Sequence, residues 1–482
     1  MTTNTDETGL ERTLPLRGAV TLNLLDMIGV GPFLTLPLLL AAMGGPQAML
    51  GWVLGALLAV CDGLVWAELG AAMPEAGGTY AYLSRMFPGR LGRWLSFLFV
   101  FQLIFSAPLS VASGCIGLAQ YAGFLSPHLQ THVAVHALHV GPYSFGVSGG
   151  RSTWIAIAVV VGAVALLYRR LSEMRWLAMG MLCVVLATMA LAIVTGLFRG
   201  HASWIFAFPS GAWAPNKAFF AGLGSAMLVA TYDYWGYYNV TFLGAETRDP
   251  GRTIPKAVML SIGIVALLYL GLNASVLAVM GAPAILAAQN LDARRALLSM
   301  MMQTAWTPVF GAGVGMVLGK IAAVMVMITA FASVFSLLLG YSRIPFAAAR
   351  DGNFLRIFGR LHPTKGFPYV SLLALAAMAC VFCFFSLGDV IAALVVLRIL
   401  LQFALQHVGV MLLRRRHPEM ERPFRIKLYP LPPILALLGF AYVVISRPNF
   451  HREVMLAVVV AVLGSVVFGI RFVRGKRAQP SI

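Results

Sequence analysis

The sequence predicts an all-α integral membrane protein with twelve transmembrane helices, built as a five-plus-five inverted repeat in which helices 1 and 6 are discontinuous. Three observations carry this. The 482-residue chain is 60% hydrophobic and only 11% charged, whereas roughly a quarter of a soluble domain is charged. Apolar runs recur along its whole length, each near the roughly 20 residues that a helix needs to cross the hydrocarbon. Two of those runs, five spans apart, are interrupted by glycine, proline or a polar patch, the mark of a site between inverted repeats.

The expected spans are 16–43, 46–73, 91–125, 152–169, 175–198, 216–245, 255–281, 318–345, 369–387, 389–413, 430–446 and 454–472. They give a tail at 1–15, a first repeat at 16–198, a second at 216–413, two last helices at 430–472 and a tail at 473–482. Stretches such as Trp154 to Leu167 and Val454 to Val467 do not alternate, which excludes a β-barrel. Of 35 Lys and Arg, 26 fall at the amino-terminal end, beside the loops after even-numbered spans or in the carboxyl-terminal tail, and seven on the opposite side. Basic residues accumulate on the cytoplasmic side, so both termini are expected there, in the inner (cytoplasmic) membrane. The formal charge of +18 is dispersed and does not form the single basic face of a nucleic-acid partner. No A-x-A-like cleavage site follows the first apolar run, so that run is expected to stay.

Taken in order, span 1 carries Asp26 followed by Gly29-Val30-Gly31-Pro32. Two glycines and a proline weaken the helix, and proline removes a backbone donor; span 1 should break there. Span 2 holds Asp62 and Glu68. After span 3, His128, His132, His136 and His139 are spaced to share one face of a helix; a metal site is an alternative to a polar face, though no carboxylate or cysteine lies near. Gly146-Val147-Ser148-Gly149-Gly150 matches G-x-S-x-G without the strand-turn-helix context that makes that serine a nucleophile. Span 6 contains Thr231-Tyr232-Asp233-Tyr234-Trp235-Gly236-Tyr237-Tyr238-Asn239 and should break around Gly236, with Glu246 near its end. Gly311, Gly315 and Gly319, before and at the start of span 8, are expected to let helices approach closely. Lys320 and Arg398 are the bases inside spans 8 and 10, either counter-ions to the buried acids or snorkelling cations. Cys380 and Cys383 form a CxxC in an apolar setting, expected to pack rather than to bind metal.

Ionisable groups are costly in hydrocarbon, so those within spans are the functional candidates. At the two breaks, freed amides can receive a carboxylate and freed carbonyls an ammonium group or a cation, a combination suited to an amino acid.

The motifs resemble the amino acid-polyamine-organocation superfamily over nearly the whole chain. Ile28-Gly29-Val30-Gly31 is similar to its first-span IG[ST]G, and Ala67-Glu68-Leu69 with Pro74-Glu75-Ala76-Gly77-Gly78-Thr79-Tyr80 to its second-span signature. Gly236 to Thr241, Gly244-Ala245-Glu246 and Arg248-Asp249-Pro250 resemble the sixth-span pattern. Ser342-Arg343, Ala349-Arg350-Asp351-Gly352 and His362-Pro363 resemble the stretch after span 8, and Arg414-Arg415-Arg416-His417-Pro418 with Arg422-Pro423-Phe424-Arg425 the loop after span 10.

The resemblance implies the leucine-transporter-like fold, alternating access and an amino acid permease or exchanger that needs no cofactor. It implies that Gly29, Val30 and Gly31 meet a substrate carboxylate, that Tyr232 lids the site and that Gly236 marks the span-6 break. Glu68, Glu75, Arg350 and Asp351 would serve folding and gating. Asp26 and Asp233 stand where the family usually has Asn and a small residue. Two carboxylates near one cavity attract cations, and with Gly31-Pro32-Phe33 and Pro108 they keep polyamine or other amine uptake as the alternative. Protons are the candidate coupling ion: span 5 has no lysine between Met179 and Ala187, and Ser333 follows Ala332 rather than a second hydroxyl. A membrane-embedded enzyme lacks any H-E-x-x-H or serine-base pair, and a channel would need pore-lining rings. Oligomeric state is not legible.

Overall fold

The computed structural model describes residues 10–130, 132–140, 143–169, 173–287, 295–385, 396, 398–447 and 449–477. The first apolar run forms α1 (Leu16–Met27) and α2 (Leu36–Met43), joined by a 3-10 turn at Gly31–Phe33 and bent by 57°. Then come α3 (Met49–Ala72), α4 (Thr79–Met86) and α5 (Gly89–Leu125), a hairpin of β1 (His132–Val140) and β2 (Tyr143–Gly150), α6 (Arg151–Leu167), α7 (Arg175–Arg199) and α8 (Ala202–Ile205). The sixth run gives α9 (Lys217–Tyr234), started by Asn216, whose side chain accepts from the amide of Phe219, an N-cap. It stops at Trp235 and resumes as α10 (Asn239–Phe242).

Further on lie α11 (Pro250–Met280), α12 (Ala282–Leu286), α13 (Leu297–Tyr341), α14 (Arg343–Arg350) and α15 (Tyr369–Phe382). A π-helical turn at Ile399–Ala404 leads into α16 (Leu405–Arg416), and α17 (Leu431–Ile445) and α18 (Phe450–Arg477) follow.

Among the described residues, six helices are long and apolar enough to cross a membrane, or seven if α1 and α2 count as one bent span. Three more, α6, α15 and α17, are apolar but shorter. The distribution of polarity is inverted relative to a soluble protein. Asn23, Asp62, Gln102, Gln402 and His407 are fully buried, while Trp154, Leu197, Phe198 and Leu267 are exposed. Lipid is the solvent that permits this arrangement, because apolar side chains face it and polar ones turn to the interior of the bundle.

Close packing runs through small residues. Gly51 and Gly55 of α3 lie against Ala226 and Ala230 of α9, which brings the backbones together. The central α1 packs on α11, α13, α7 and α10.

Three expectations are corrected. The histidine-rich stretch is no helix: residues 132–140 pair antiparallel with 143–150, so the chain is not purely α. The stretch His-Val-Ala-Val-His-Ala-Leu-His-Val contains three valines, β-branched residues that suit a strand, and the expected helical face does not form. Gly146–Gly150 accordingly ends β2 and runs directly into α6, a strand context that was not expected, but in a two-stranded ribbon. Finally, Gly311 is not a packing residue. It adopts φ 86° with no atom near a β-carbon there, and is the turn of a helical hairpin in which Gly315 meets Thr307 and Gly319 meets Ser299 and Phe124. Helix α13 therefore starts well before the expected 318. Gly315 and Gly319 do pack as close contacts, and the five cysteines are free thiols.

Candidate functional site

The break in the first run follows from its residues. Pro32 has no amide to donate, and Gly29 and Gly31 favour the helix poorly. Among the described residues, the amides of Val30 and Gly31 have no acceptor, while the carbonyl of Asp26 accepts from Ser333 Oγ at 3.2 Å and that of Met27 from Tyr269 Oη at 2.6 Å.

The second break crosses the first. Gly236 has φ 122°, and a β-carbon on it would stand 2.7 Å from the Met27 nitrogen and 2.9 Å from the Asp26 carbonyl carbon. Both the conformation and the approach require glycine. The crossing is fastened from beneath by amide side chains. Asn23 donates to the carbonyl of Tyr237 at 2.7 Å and accepts from the amide of Val240 at 2.9 Å. Asn239 donates to Ser336 Oγ at 2.9 Å, and Ser336 donates to the carbonyl of Leu22 at 2.8 Å.

Beside this crossing lies a cavity of about 400 Å³, within the roughly 300–1,000 Å³ of small-molecule sites. All seven expected substrate residues line it: Asp26, Gly29, Val30, Gly31, Tyr232, Asp233 and Gly236. Asp233 is buried; Thr35 Oγ1 donates to one of its oxygens at 2.5 Å, and the other has no partner and lies over Gly31. One oxygen of Asp26 is likewise buried and unpartnered. Tyr232 donates to Ser113 Oγ at 3.3 Å.

Arg398 also lines the cavity. Its guanidinium donates to Ser110 Oγ at 2.8 Å and sits over the rings of Trp235 and Tyr341, 5.5 and 5.2 Å from their centroids. It stands just before the π-helical turn, a feature frequent at functional sites. Ser110 and Tyr341 are lining residues that sequence reasoning did not name, and Ser333 was weighed there only as a ligand for a coupling ion. Trp235 and Tyr238, which also line the cavity, belonged to the flagged aromatic patch, the signal that found them.

Two expected coupling residues are elsewhere. Lys320 is exposed on α13, outside the cavity lining. Glu68 is buried at the far end of α3, where Arg414 Nε donates to it at 2.7 Å, the amide of Ile426 at 2.9 Å, and Arg422 Nε lies 3.6 Å away. Glu246 forms a second buried pair with Arg343 at 2.8 Å, and Glu75 pairs with Arg85 at the surface. A separate cavity of about 460 Å³, lined by Arg17, Leu22, Arg175, Arg248 and Leu339 among others, lies beyond the Asn23–Asn239–Ser336 layer. The two cavities share no lining residue. No group of His, Cys, Asp and Glu able to hold a metal ion occurs among the described residues.

With this geometry in place, comparison with known proteins is informative. A family model described as amino acid permease matches residues 18–467. The serine/threonine exchanger SteT of Bacillus subtilis is 26% identical, over 91% of this chain and 92% of its own. An uncharacterised transporter of Mycobacterium tuberculosis is 28% identical, over 98% and 93%. The branched-chain amino acid permease BcaP of Bacillus subtilis is 26% identical, over 91% and 89%.

Proposed function

This chain belongs to the amino acid permease family of the amino acid-polyamine-organocation superfamily, and from that premise we propose that it moves amino acids across the cytoplasmic membrane by alternating access. The observation that carries the reading is the crossing of two broken helices, with free amides at Val30 and Gly31 and two buried carboxylates beside one small cavity. An amino acid offers the complement: a carboxylate for the amides and an ammonium for Asp233 and nearby carbonyls. Two cavities on either side of a hydrogen-bonded layer favour a cycling transporter over an open channel, which needs a continuous path.

The cavity's arginines decide between amino acids and polyamines. Two guanidinium groups, Arg398 and Arg295, line the same cavity as the two carboxylates, leaving little to attract a polycation. The named relatives that carry a substrate in their titles, serine/threonine and branched-chain amino acids, point the same way.

The arrangement proposed for the whole chain is twelve spans, with α1–α2 and α9–α10 each counted as one broken span. Residues 16–198 and 216–413 form inverted repeats, 430–472 adds two helices, and both tails (1–15 and 473–482) are cytoplasmic. The split of basic residues supports that orientation, and reporter fusions after Ser210 and after Lys365 should fall on opposite sides. Function is tested by uptake into proteoliposomes of neutral, acidic and basic amino acids with putrescine and spermidine. Saturable uptake and counterflow of amino acids are expected; uptake confined to the polyamines would overturn the reading.

A further inference from the structure

Away from the cavity, three elements meet at a buried acid. Asp62 on α3 accepts from Trp66 Nε1 at 3.0 Å and from the Tyr237 hydroxyl on the same oxygen. Its other oxygen lies 3.1 Å from Nε2 of His407 on α16, an ion-pair distance without hydrogen-bond alignment, and neither atom has another partner among the described residues. The Nδ1 of His407 is 2.7 Å from the carbonyl oxygen of Phe403. Asp62, Trp66 and His407 have no solvent exposure, and Tyr237 almost none. None of the four lines the cavity.

The two contacts of the imidazole constrain the proton count. A carbonyl oxygen carries no proton, so the contact at Nδ1 requires an N–H there. Nε2 then stands beside Asp62 either as an N–H near a carboxylate or as a lone pair near a carboxylic acid. Both descriptions place one proton between the two groups and leave the pair neutral. Without it, a lone pair would face an anion in a site closed to water, a costly arrangement.

Tyr237 links this proton to the moving part of the molecule. It follows Gly236 at the span-6 break; its hydroxyl holds Asp62 and its carbonyl is held by Asn23 of α1. We propose that Asp62 and His407 form a proton-binding site whose occupancy is tied through Tyr237 to the conformation of the span-6 break, making it the coupling site of a proton-linked cycle. The coupling role rests on the transport function proposed above; the proton count does not. Other titratable neighbours are Cys61, beside Asp62 on α3, and Tyr238, whose ring is 5.3 Å from that of Tyr237. Helix α17 presents only the Phe440 ring, 5.8 Å from His407. On α3 and α16, about two turns further along, Glu68 and Arg414 neutralise each other.

Two measurements test this. In lipid nanodiscs, 15N-histidine spectra of the parent, assigned with His407→Gln, should show an Nε2 resonance displaced from that of a bare acceptor, and Asp62→Asn should move it. An Nε2 resonance that is the same in parent and Asp62→Asn overturns the shared proton. In proteoliposomes, uptake of a mixture of labelled L-serine, L-threonine and L-leucine should be stimulated by an acidic exterior in the parent. Asp62→Asn and His407→Gln should lose that stimulation and keep counterflow at symmetric pH; stimulation retained in both overturns the coupling role. Tyr237→Phe, which removes one oxygen, carries the same test if either variant fails to fold: its resonance stays and its stimulation falls. A parent that neither takes up nor exchanges any of the three refutes the transport function instead, and the spectra still decide whether the pair holds a proton.

Discussion

Thr35 donates a 2.5 Å hydrogen bond to Asp233 across the two broken helices, the first residue lying just before α2 and the second near the end of α9. Among the described residues it is the one partner of an otherwise unsatisfied buried carboxylate, so it orients the acid proposed to meet the substrate. A hydrogen bond to a charged group contributes about 1.5–3 kcal/mol. Thr35→Val should therefore raise the KM for amino acid uptake about tenfold or more, with Thr35→Ser close to the parent. An unchanged KM in Thr35→Val would remove Asp233 from the binding role.

At Gly31 there is no room for a side chain: a β-carbon alone would overlap the Asp233 carboxylate. Gly31→Ala should accordingly abolish uptake while the protein still inserts and purifies as a folded species, as should Gly31→Leu. Normal transport by Gly31→Ala would place the substrate elsewhere.

The breaks were legible because they are written in local backbone chemistry. Gly29, Gly31, Pro32 and Gly236 weaken a helix wherever it stands, and the charges at Asp26 and Asp233 stand out against apolar neighbours. What those residues meet was not legible. Tyr341 reaches the cavity from an element a hundred or more residues away, and only the fold brings it there; for Arg398 the sequence left two roles open, counter-ion to the buried acids or snorkelling cation. His407 gave no signal, since a single histidine in an apolar helix reads as ordinary packing until Asp62 is placed beside it. Glu68 was expected to serve folding and gating, and the two arginines and the amide that it faces could be named only from the fold. The hairpin was misread because a spacing of four fits the period of a strand as well as that of a helix.

Glu68 carries a different expectation from the cavity acids. It is buried with Arg414, Arg422 and the amide of Ile426, so its loss leaves cations without a partner, and breaking such a pair costs about 3–5 kcal/mol. Glu68→Ala should lower the unfolding temperature and the yield of monodisperse protein, while the molecules that survive keep the parent KM. A variant as stable as the parent but altered in KM would return Glu68 to the coupling residues.

Arg398 is the buried one of two arginines that line the cavity with Asp26 and Asp233. Removing its guanidinium should turn the site toward cations. Arg398→Gln is expected to raise uptake of L-lysine relative to L-serine in the same vesicles. Arg398→Lys, which keeps the charge but loses the planar stack on Trp235 and Tyr341, should keep the parent preference at reduced rate. An unaltered lysine-to-serine ratio in Arg398→Gln would show that the guanidinium does not act on selectivity.

Asp233 and Asp62 divide two tasks that a single buried acid is often asked to perform. Asp233 borders the cavity and the free amides of the span-1 break, which places it to meet the ammonium of an amino acid. Asp62 lies outside the cavity, and its outer oxygen is matched to His407. The asparagine variants should therefore fail in opposite ways. Asp233→Asn keeps the shape and loses the charge, so the apparent dissociation constant for amino acids should rise about tenfold or more, the worth of a charged hydrogen bond. At saturating substrate its uptake should still respond to an acidic exterior, because the proton site is intact. Asp62→Asn should bind amino acids as the parent does and lose that response. If instead Asp233→Asn bound normally and lost the response to acid, the proton would travel with Asp233, and the separation of substrate site from proton site drawn from the two geometries would be wrong.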